Sequence, residues 1–270
     1  MSGSGGRSPG PGGSTSLDDL RGPLISWIES ATTPTVALGL FPGASRLRDP
    51  RREPSVVKVA PKAVVGRVSL YLRQLEAFQA QGLVTVSSSQ LGAALGINDA
   101  QVRKDLAFFG QFGYPGIGYR IVELGATLRR ILGIDRDWPL ALVGLGNLGR
   151  ALLKYRGFRN RGFHVVALFD NDPEKVGMDF DGMTVRPTET LADAVREHNV
   201  SLAILSVPSD VAQRVTDQLV ASGILGIFNF APMPLVVPNH VSVVGVDLSV
   251  QLEHLAYKTQ SRQGGISFLR

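Results

Sequence analysis

No cysteine occurs among the 270 residues. That absence excludes disulfides, thiolate zinc sites and thiol redox chemistry, so any redox sensitivity has to come from a bound cofactor. No run of eighteen apolar residues is present, and the chain does not start with a basic-then-apolar leader. A soluble, unexported, cytoplasmic protein is the expectation, with no membrane partner. Histidine is scarce, with four in all (His164, His198, His240 and His254), and only His240, in a turn, is placed where it could approach a crevice. No metal site is expected. Acidic residues are short in one region only. Residues 57–120 hold seven Lys/Arg against three acids, net +4, whereas residues 138–270 hold twelve of each. The first segment therefore carries most of the excess positive charge and points to a polyanion.

The length suits about two domains, at ~100–200 residues each. Residues 1–57 read as a disordered extension. The first sixteen are almost entirely Gly, Ser, Pro and Thr, and an arginine cluster lies at 46–52; a short helix near 20–28 is the alternative to disorder there. Order is expected from Lys58. Val64, Val68, Tyr71, Leu75 and Phe78 step by 4, 3, 4 and 3, the spacing of one helix face, with Arg67 and Arg73 off that face and Gly82 as its end. Ser87-Ser88-Ser89 offers hydroxyl caps for a short helix over 90–95, closed by Gly96. Asn98 or Asp99 caps a third helix to about Phe109, with Val102, Leu106 and Phe109 inward. Gln101, Arg103 and Lys104 fall on its other faces. Two short helices joined by a glycine turn form a helix-turn-helix candidate whose second helix reads DNA. The segment 110–122 has the glycines and alternation of a two-stranded wing. A small helical cap on the next domain is the alternative.

A helix over 123–132 leads to a boundary at Trp138-Pro139. Then comes an apolar run, Leu140-Ala141-Leu142-Val143, broken by Gly144-Leu145-Gly146-Asn147-Leu148-Gly149. A second apolar run, 164–169, stops at Asp170, 26 residues after Gly144. Strand, glycine turn, helix, strand and acid is the order of a dinucleotide site. Gly144 permits the tight turn, Gly146 lets backbone approach a pyrophosphate, and Gly149 lets helix and strand pack closely. The helix start offers free N–H groups to phosphate, and Asp170 is placed to accept both ribose hydroxyls. A carboxylate there with no arginine directly after it favours NAD(H) over NADP(H). Further alternation (a helix over 188–198, strand 201–207, helix 209–222 capped by Ser209, strands 224–228 and 241–246) indicates a Rossmann-type parallel sheet covered on both faces. Val207-Pro208 and Asn229-Phe230-Ala231-Pro232 fall at the same sheet edge as the glycine turn. A terminal helix from Asp247 to about Gln260 carries Leu248, Leu252 and Leu255 on one face.

A dehydrogenase would need a substrate domain and an acid or base beside the nicotinamide. Residues 138–246 are consumed by the sheet and its helices, which leaves an enzyme short of parts. A basic reader joined to a dinucleotide sheet suggests a cofactor that regulates DNA binding.

Several runs carry a family resemblance: Val86-Ser87-Ser88-Ser89-Gln90-Leu91, Gln101-Val102-Arg103-Lys104-Asp105-Leu106, Phe109-Gly110-Gln111-Phe112-Gly113, the glycine turn, Phe169-Asp170-Asn171-Asp172-Pro173-Glu174-Lys175-Val176-Gly177, and Asn229-Phe230-Ala231-Pro232. From about Lys58 to Gln260 the chain resembles the Rex family of redox-sensing transcriptional repressors. The resemblance implies an α/β architecture in four parts: the extension 1–57, a winged helix-turn-helix domain 58–137, a Rossmann NAD(H)-binding domain 138–247, and a swapped dimerisation helix with its tail, 248–270. It implies a homodimer that binds an inverted-repeat operator when NADH is scarce and releases it when NADH binds, with NAD+ competing weakly. The implied cofactor residues are Gly144, Leu145, Gly146, Asn147, Leu148, Gly149, Asp170, Val207, Pro208, Asn229, Phe230 and Ala231. Those implied for DNA are Ser88, Gln101, Arg103 and Lys104. Arg73 and Tyr155 match a basic and a phenolic position that exchange contacts with Asp247, a switch set by the cofactor's redox state. Two departures stand out. The wing has Tyr114-Pro115 where members often have a basic pair, so its DNA contacts are expected to be weaker or more apolar. The long extension acquires no function from the resemblance.

Overall fold

The 4-3-4-3 apolar step winds residues 62–80 into a helix because it places Val68, Tyr71 and Leu75 on one buried stripe. The computed structural model describes residues 60–262. The extension, its helix near 20–28, the arginine cluster at 46–52, Lys58 and the tail after Arg262 lie outside the described residues.

The first unit is built from α1 (Lys62–Ala80), β1 (Thr85–Val86), α2 (Ser88–Leu95), α3 (Asp99–Ala107), β2 (Tyr119–Arg120) and α4 (Ile121–Ile131). Val68, Tyr71 and Leu75 meet Leu91, Val102, Leu106, Leu124 and Leu128 in one core. Ser87 caps α2 in a reciprocal box with Gln90, and Gly96 closes it in the left-handed region at φ 68°. Asn98 caps α3 through Ala100 N–H. A Cβ on Gly92 would run into the backbone carbonyl of Ile97, so glycine is what lets the α2–α3 turn fold back so closely.

The wing differs from expectation. Its segment does not pair mainly with itself; β2 runs antiparallel to β1, with Thr85 opposite Arg120. Within the segment a single bridge joins Tyr114 and Gly118. Ile121 and Val122 belong to α4, not to a strand, because the Ile121 side chain is needed in the helical core.

The second unit is a seven-stranded sheet of β3 (Trp138–Val143), β4 (Phe163–Phe169), β5 (Asp179–Phe180), β6 (Met183–Arg186), β7 (Leu202–Leu205), β8 (Gly226–Asn229) and β9 (Ser242–Gly245), in the order β5-β6-β4-β3-β7-β8-β9. All neighbours are parallel except the β5–β6 hairpin, which the sequence reading did not include. Numbered along the chain, the parallel strands lie 3-2-1-4-5-6, the doubly wound order in which direction reverses between β3 and β7. Trp138 and Pro139, the expected boundary, are the first residues of β3, paired with Phe163 and His164.

The helices covering the sheet are α5 (Asn147–Leu153), α6 (Arg156–Arg159), α7 (Leu191–His198) and α8 (Ser209–Ala221). The apolar run of β3 serves both faces by strand alternation. Ala141 and Val143 pack with Ala212, Val215 and Leu219, while Leu140 and Leu142 pack with Leu152 and Phe158 on the other side. A 3-10 turn, Thr188–Thr190, precedes α7, so that helix is shorter than expected. Pro208, not Ser209, is the N-cap of α8, and no side chain caps it. α9 (Leu248–Arg262) leaves the carboxyl edge of β9 with Leu248, Leu252, Leu255 and Tyr257 exposed.

Glu76 of α1 ties the two units together. Its carboxylate takes a two-pronged bond from Arg161, at 3.0 and 2.7 Å, and a bond from Arg129 at 2.5 Å. The link 133–137 is braced by the Trp138 indole N–H on Gly133 O at 2.6 Å.

Candidate functional site

At the switch point the turn after β3 lies against the turn after β7. Gly144 has φ +94°, and a Cβ there would sit 2.5 Å from Ser206 O and 2.9 Å from Val207 Cγ1, so only glycine fits. Gly149 is equally confined, since its Cβ would overlap the Gly144 carbonyl and lie 2.9 Å from Ser206 Oγ. Gly146 is the opposite case. Its backbone is extended, at φ −69° and ψ −170°, and nothing lies within 4 Å of its Cβ position. Open space in front of a glycine is what a ligand approaching the backbone requires. The first helical bond runs from Arg150 N to Gly146 O, which leaves the N–H groups of Asn147, Leu148 and Gly149 outside the ladder. Asn147 and Leu148 are exposed there, whereas the Leu145 side chain is in the core.

Asp170 stops β4 beside this turn. One of its oxygens accepts Leu145 N–H at 2.7 Å and the other Asp172 N–H at 2.9 Å, and Lys175 Nζ lies 3.2 Å away. Leu145 and Lys175 share one oxygen, Oδ2, so Oδ1 keeps a further acceptor site for a hydroxyl, and a second hydroxyl would compete with Lys175. Burial works against the charge on Lys175, but its hydrogen bonds to Asp172 and Asp170 outweigh this and raise its pKa.

Val207 is half-buried against the glycine turn, and Pro208 is exposed at the head of α8. Asn229 is buried, and its amide is used within its own loop. It donates to Met233 O at 2.9 Å and to Ala231 O at 3.3 Å, and it accepts Ala231 N–H at 2.9 Å. Its side chain therefore shapes the loop that carries Phe230 and the buried Ala231. His240 precedes β9 and so lies at the amino edge of the sheet, opposite the crevice; the possibility that it approaches a ligand is removed.

Ser206 was not singled out from the sequence. Its hydroxyl donates to Gly144 O at 2.8 Å and reaches Val143 O at 3.2 Å, latching the glycine turn to the neighbouring strand. A serine directly after an apolar strand was the available signal. A second unforeseen feature is a file of edge-to-face rings, Tyr155–Phe158–Phe228–Phe230, with centroid spacings of 5.0, 6.4 and 4.6 Å.

The second candidate surface is the outer face of α3. Arg103 Nη1 donates to Ser88 Oγ at 2.9 Å and Asp99 Oδ2 at 2.7 Å, leaving Nη2 and Nε for other acceptors. The Arg103 hydrogen bond holds the Asp99 carboxyl below its ordinary pKa. Lys104 is exposed. Gln101 is half-buried and donates from Nε2 to Asp105 Oδ1 at 2.7 Å. Asp105 is the buried centre of this face. It also receives Arg67, at 2.6 and 2.8 Å, and the Tyr71 hydroxyl at 2.7 Å. Burial would raise its pKa, but the bonds from Arg67, Tyr71 and Gln101 prevail and lower it. Burial, then the bond to Asp105, pushes Tyr71 far above the usual phenol range. Arg67, placed off the apolar stripe by the sequence reading, is thus half-buried in an ion pair.

At the wing, Arg120 bonds Glu123 at 2.9 Å and lies 4.8 Å from the Tyr114 ring centroid. Arg73 and Tyr155 are exposed. Asp247 caps α9 through Ser249 N–H at 2.8 Å. Among the described residues of this single chain, no hydrogen bond or ion pair joins Asp247 to Arg73 or Tyr155.

Two family models match: "CoA binding domain" over residues 135–233 and "Putative DNA-binding protein N-terminus" over residues 60–107. The redox-sensing transcriptional repressor Rex of Desulfitobacterium hafniense is 43% identical over 203 residues, 75% of this chain and 97% of that protein. That of Carboxydothermus hydrogenoformans is 47% identical over 197 residues, 73% and 95% of the two chains. That of Streptomyces coelicolor is 44% identical over 204 residues, 76% and 79%. Among solved structures, RSP in complex with β-NAD+ and operator DNA superposes with a TM-score of 0.73 at 34% identity, covering 76% of this chain and 95% of that one. RSP in complex with β-NADH gives 0.69 at 33% identity, covering 76% and 97%.

Proposed function

The chain belongs to the Rex family of redox-sensing transcriptional repressors, and on that premise we propose that it holds an inverted-repeat operator as a homodimer while NADH is scarce and releases it when NADH binds. It is a regulator rather than an enzyme, and NAD+ and NADH are its ligands. The observation that carries the reading is the pairing in one chain of a ligand crevice and a DNA-reading face, matched at 33–34% identity by structures holding NAD+ with operator DNA and NADH.

The crevice fits a dinucleotide. Gly146 presents open backbone, Gly144 and Gly149 let the turn close onto the sheet, and Ser206 fixes it. Asn147, Leu148 and Gly149 offer N–H groups to a pyrophosphate, Asp170 accepts the ribose hydroxyls, and Val207, Pro208 and the loop from Asn229 to Ala231 border the nicotinamide half. Asp170 disfavours a 2′-phosphate by charge. The bound ring supplies the signal, being positively charged when oxidised and neutral when reduced.

α3 enters the major groove, with Arg103 and Lys104 addressing phosphates or guanine edges and Ser88 bracing Arg103. The exposed Leu248, Leu252 and Leu255 of α9 are the surface a second copy covers, and a helix swapped across the dimer would bring Asp247 of each chain to the other's Arg73 or Tyr155. Those two alternative partners form the two-state element of the switch. The repressor acts in the cytoplasm, and the scheme needs no metal. No described helix is long and apolar enough to cross a membrane.

A gel-shift titration with inverted-repeat operator tests the reading. NADH abolishes the shift, and equal NAD+ leaves it largely in place. Equal retention of DNA in both nucleotides overturns redox sensing, and steady oxidation of NADH with carbonyl substrates would overturn the regulator in favour of an enzyme.

A further inference from the structure

The buried carboxylate of Asp105 has a consequence for base recognition. A carboxylate only accepts hydrogen bonds, so the Gln101 amide at 2.7 Å must turn Nε2 toward it. The assignment of nitrogen and oxygen in this amide therefore follows from the partner's chemistry. Asp105 cannot swing away to release it, being 1% exposed and held by Arg67 on both oxygens and by Tyr71. With one Nε2 hydrogen held by Asp105, Gln101 is left with Oε1 and the second Nε2 hydrogen beside it, so Oε1 is the acceptor it can offer the groove.

We propose that Asp105 sets the reading polarity of Gln101, making it an acceptor that selects a base with an exocyclic amino group, adenine or cytosine, on the contacted strand. Guanine and thymine present acceptors at the corresponding major-groove edge and leave Oε1 unpaired. The inference rests on α3 being the reader helix. Asp105 touches no DNA; it is a positioning residue acting through Gln101.

The test is a binding survey of the full chain on every single-base substitution of one operator half-site. Gln101→Ala identifies the position, as the one where discrimination collapses. There the wild-type protein prefers adenine or cytosine over thymine or guanine by roughly 5- to 10-fold. Asp105→Asn keeps the shape: Oδ1 can accept Arg67 Nε and the Tyr71 hydroxyl while Nδ2 donates to Gln101, at the cost of the bond from Arg67 Nη2, which Nδ2 cannot accept. That rewiring turns the Gln101 amide over, so preference at this one position reverses toward guanine or thymine, which a merely structural role for Asp105 would not produce. A wild-type preference for guanine or thymine at the Gln101-dependent position overturns the proposal, whether or not Asp105→Asn folds. So does a folded Asp105→Asn that keeps the wild-type preference. If Arg103→Ala and Lys104→Ala weaken binding while Gln101→Ala alters no base preference, this inference alone fails. If all three leave affinity unchanged, the reader assignment fails with it.

Discussion

Gly146→Ala separates a glycine required by a ligand from one required by the fold. The position has an extended backbone, φ −69° and ψ −170°, that any L-residue adopts. A Cβ there meets nothing within 4 Å. Alanine should therefore leave the fold intact or stabilise it by up to about 1 kcal/mol, by narrowing the unfolded ensemble. Its methyl group would fill the space through which a pyrophosphate reaches the turn. Phosphate oxygens bonded to N–H groups sit at about 2.9 Å, and a carbon in that path forces them back. Losing one or two charge-assisted bonds, at about 1.5–3 kcal/mol each, weakens NADH binding by at least about 10-fold. Calorimetric titration with NADH beside a thermal melt measures both quantities. The variant should melt at or above the wild-type temperature, still shift operator DNA, and no longer release it at the NADH concentration that frees the wild type. Gly149→Ala is the counterpart. Its Cβ would overlap the Gly144 carbonyl and crowd Ser206 Oγ at 2.9 Å, so stability falls by about 1–3 kcal/mol along with affinity. A Gly146→Ala protein that binds NADH within about 2-fold of wild type would refute the placement of the pyrophosphate.

Removing the carboxylate in Asp105→Ala leaves Arg67 and Tyr71 without their acceptor, and urea unfolding should show a loss of about 3 kcal/mol. Because the folded pKa of Asp105 is lowered, its stabilisation is present above the unfolded value of ~3.9 and fades as pH falls through the folded value. The wild-type advantage should shrink as pH falls below ~3.9, and an advantage that does not change with pH there would contradict the ion pair. Tyr71 has the opposite sign: its raised pKa gives stability present below ~10 and lost as pH climbs through the folded value. A double-mutant cycle on Glu76→Gln and Arg161→Gln should return a coupling of about 1 kcal/mol, modest because both groups are partly exposed; zero coupling would deny the tie between units. Leu252→Glu should shift sedimentation from dimer to monomer, and an unchanged dimer would remove α9 from the interface. Asp247→Ala should bind both operator and NADH yet fail to release one on binding the other; normal release would discard the switch.

Elements dictated by short-range rules were readable in the chain. The glycine turn is set by backbone geometry at Gly144 and Gly149, the run 140–143 by burial on both sheet faces, and the start of α2 by the Ser87–Gln90 box. What escaped depends on distant partners. Asp105 meets Arg67 across 38 residues and Tyr71 across 34, and Arg161 meets Glu76 across 85. No local pattern marks such pairs, so Arg67 looked like a solvated charge. The motif around Asn229 suggests a ligand contact but does not announce that its amide also holds its own loop. The wing was misread at its end for a related reason: Ile121 and Val122 have strand propensity, and the core claims Ile121 as the first turn of a helix.

From Gly110 to Tyr119 the wing contains no lysine or arginine, and Arg120 at its base is committed to Glu123 and Tyr114. Each phosphate neutralised by a protein cation steepens the fall of affinity with log salt by about 0.9. A wing that neutralises none adds nothing to that slope. A cell that loads potassium against osmotic stress would then loosen this repressor less than one with a basic wing, and operator occupancy would follow the nicotinamide pool with less interference from the cell's water balance.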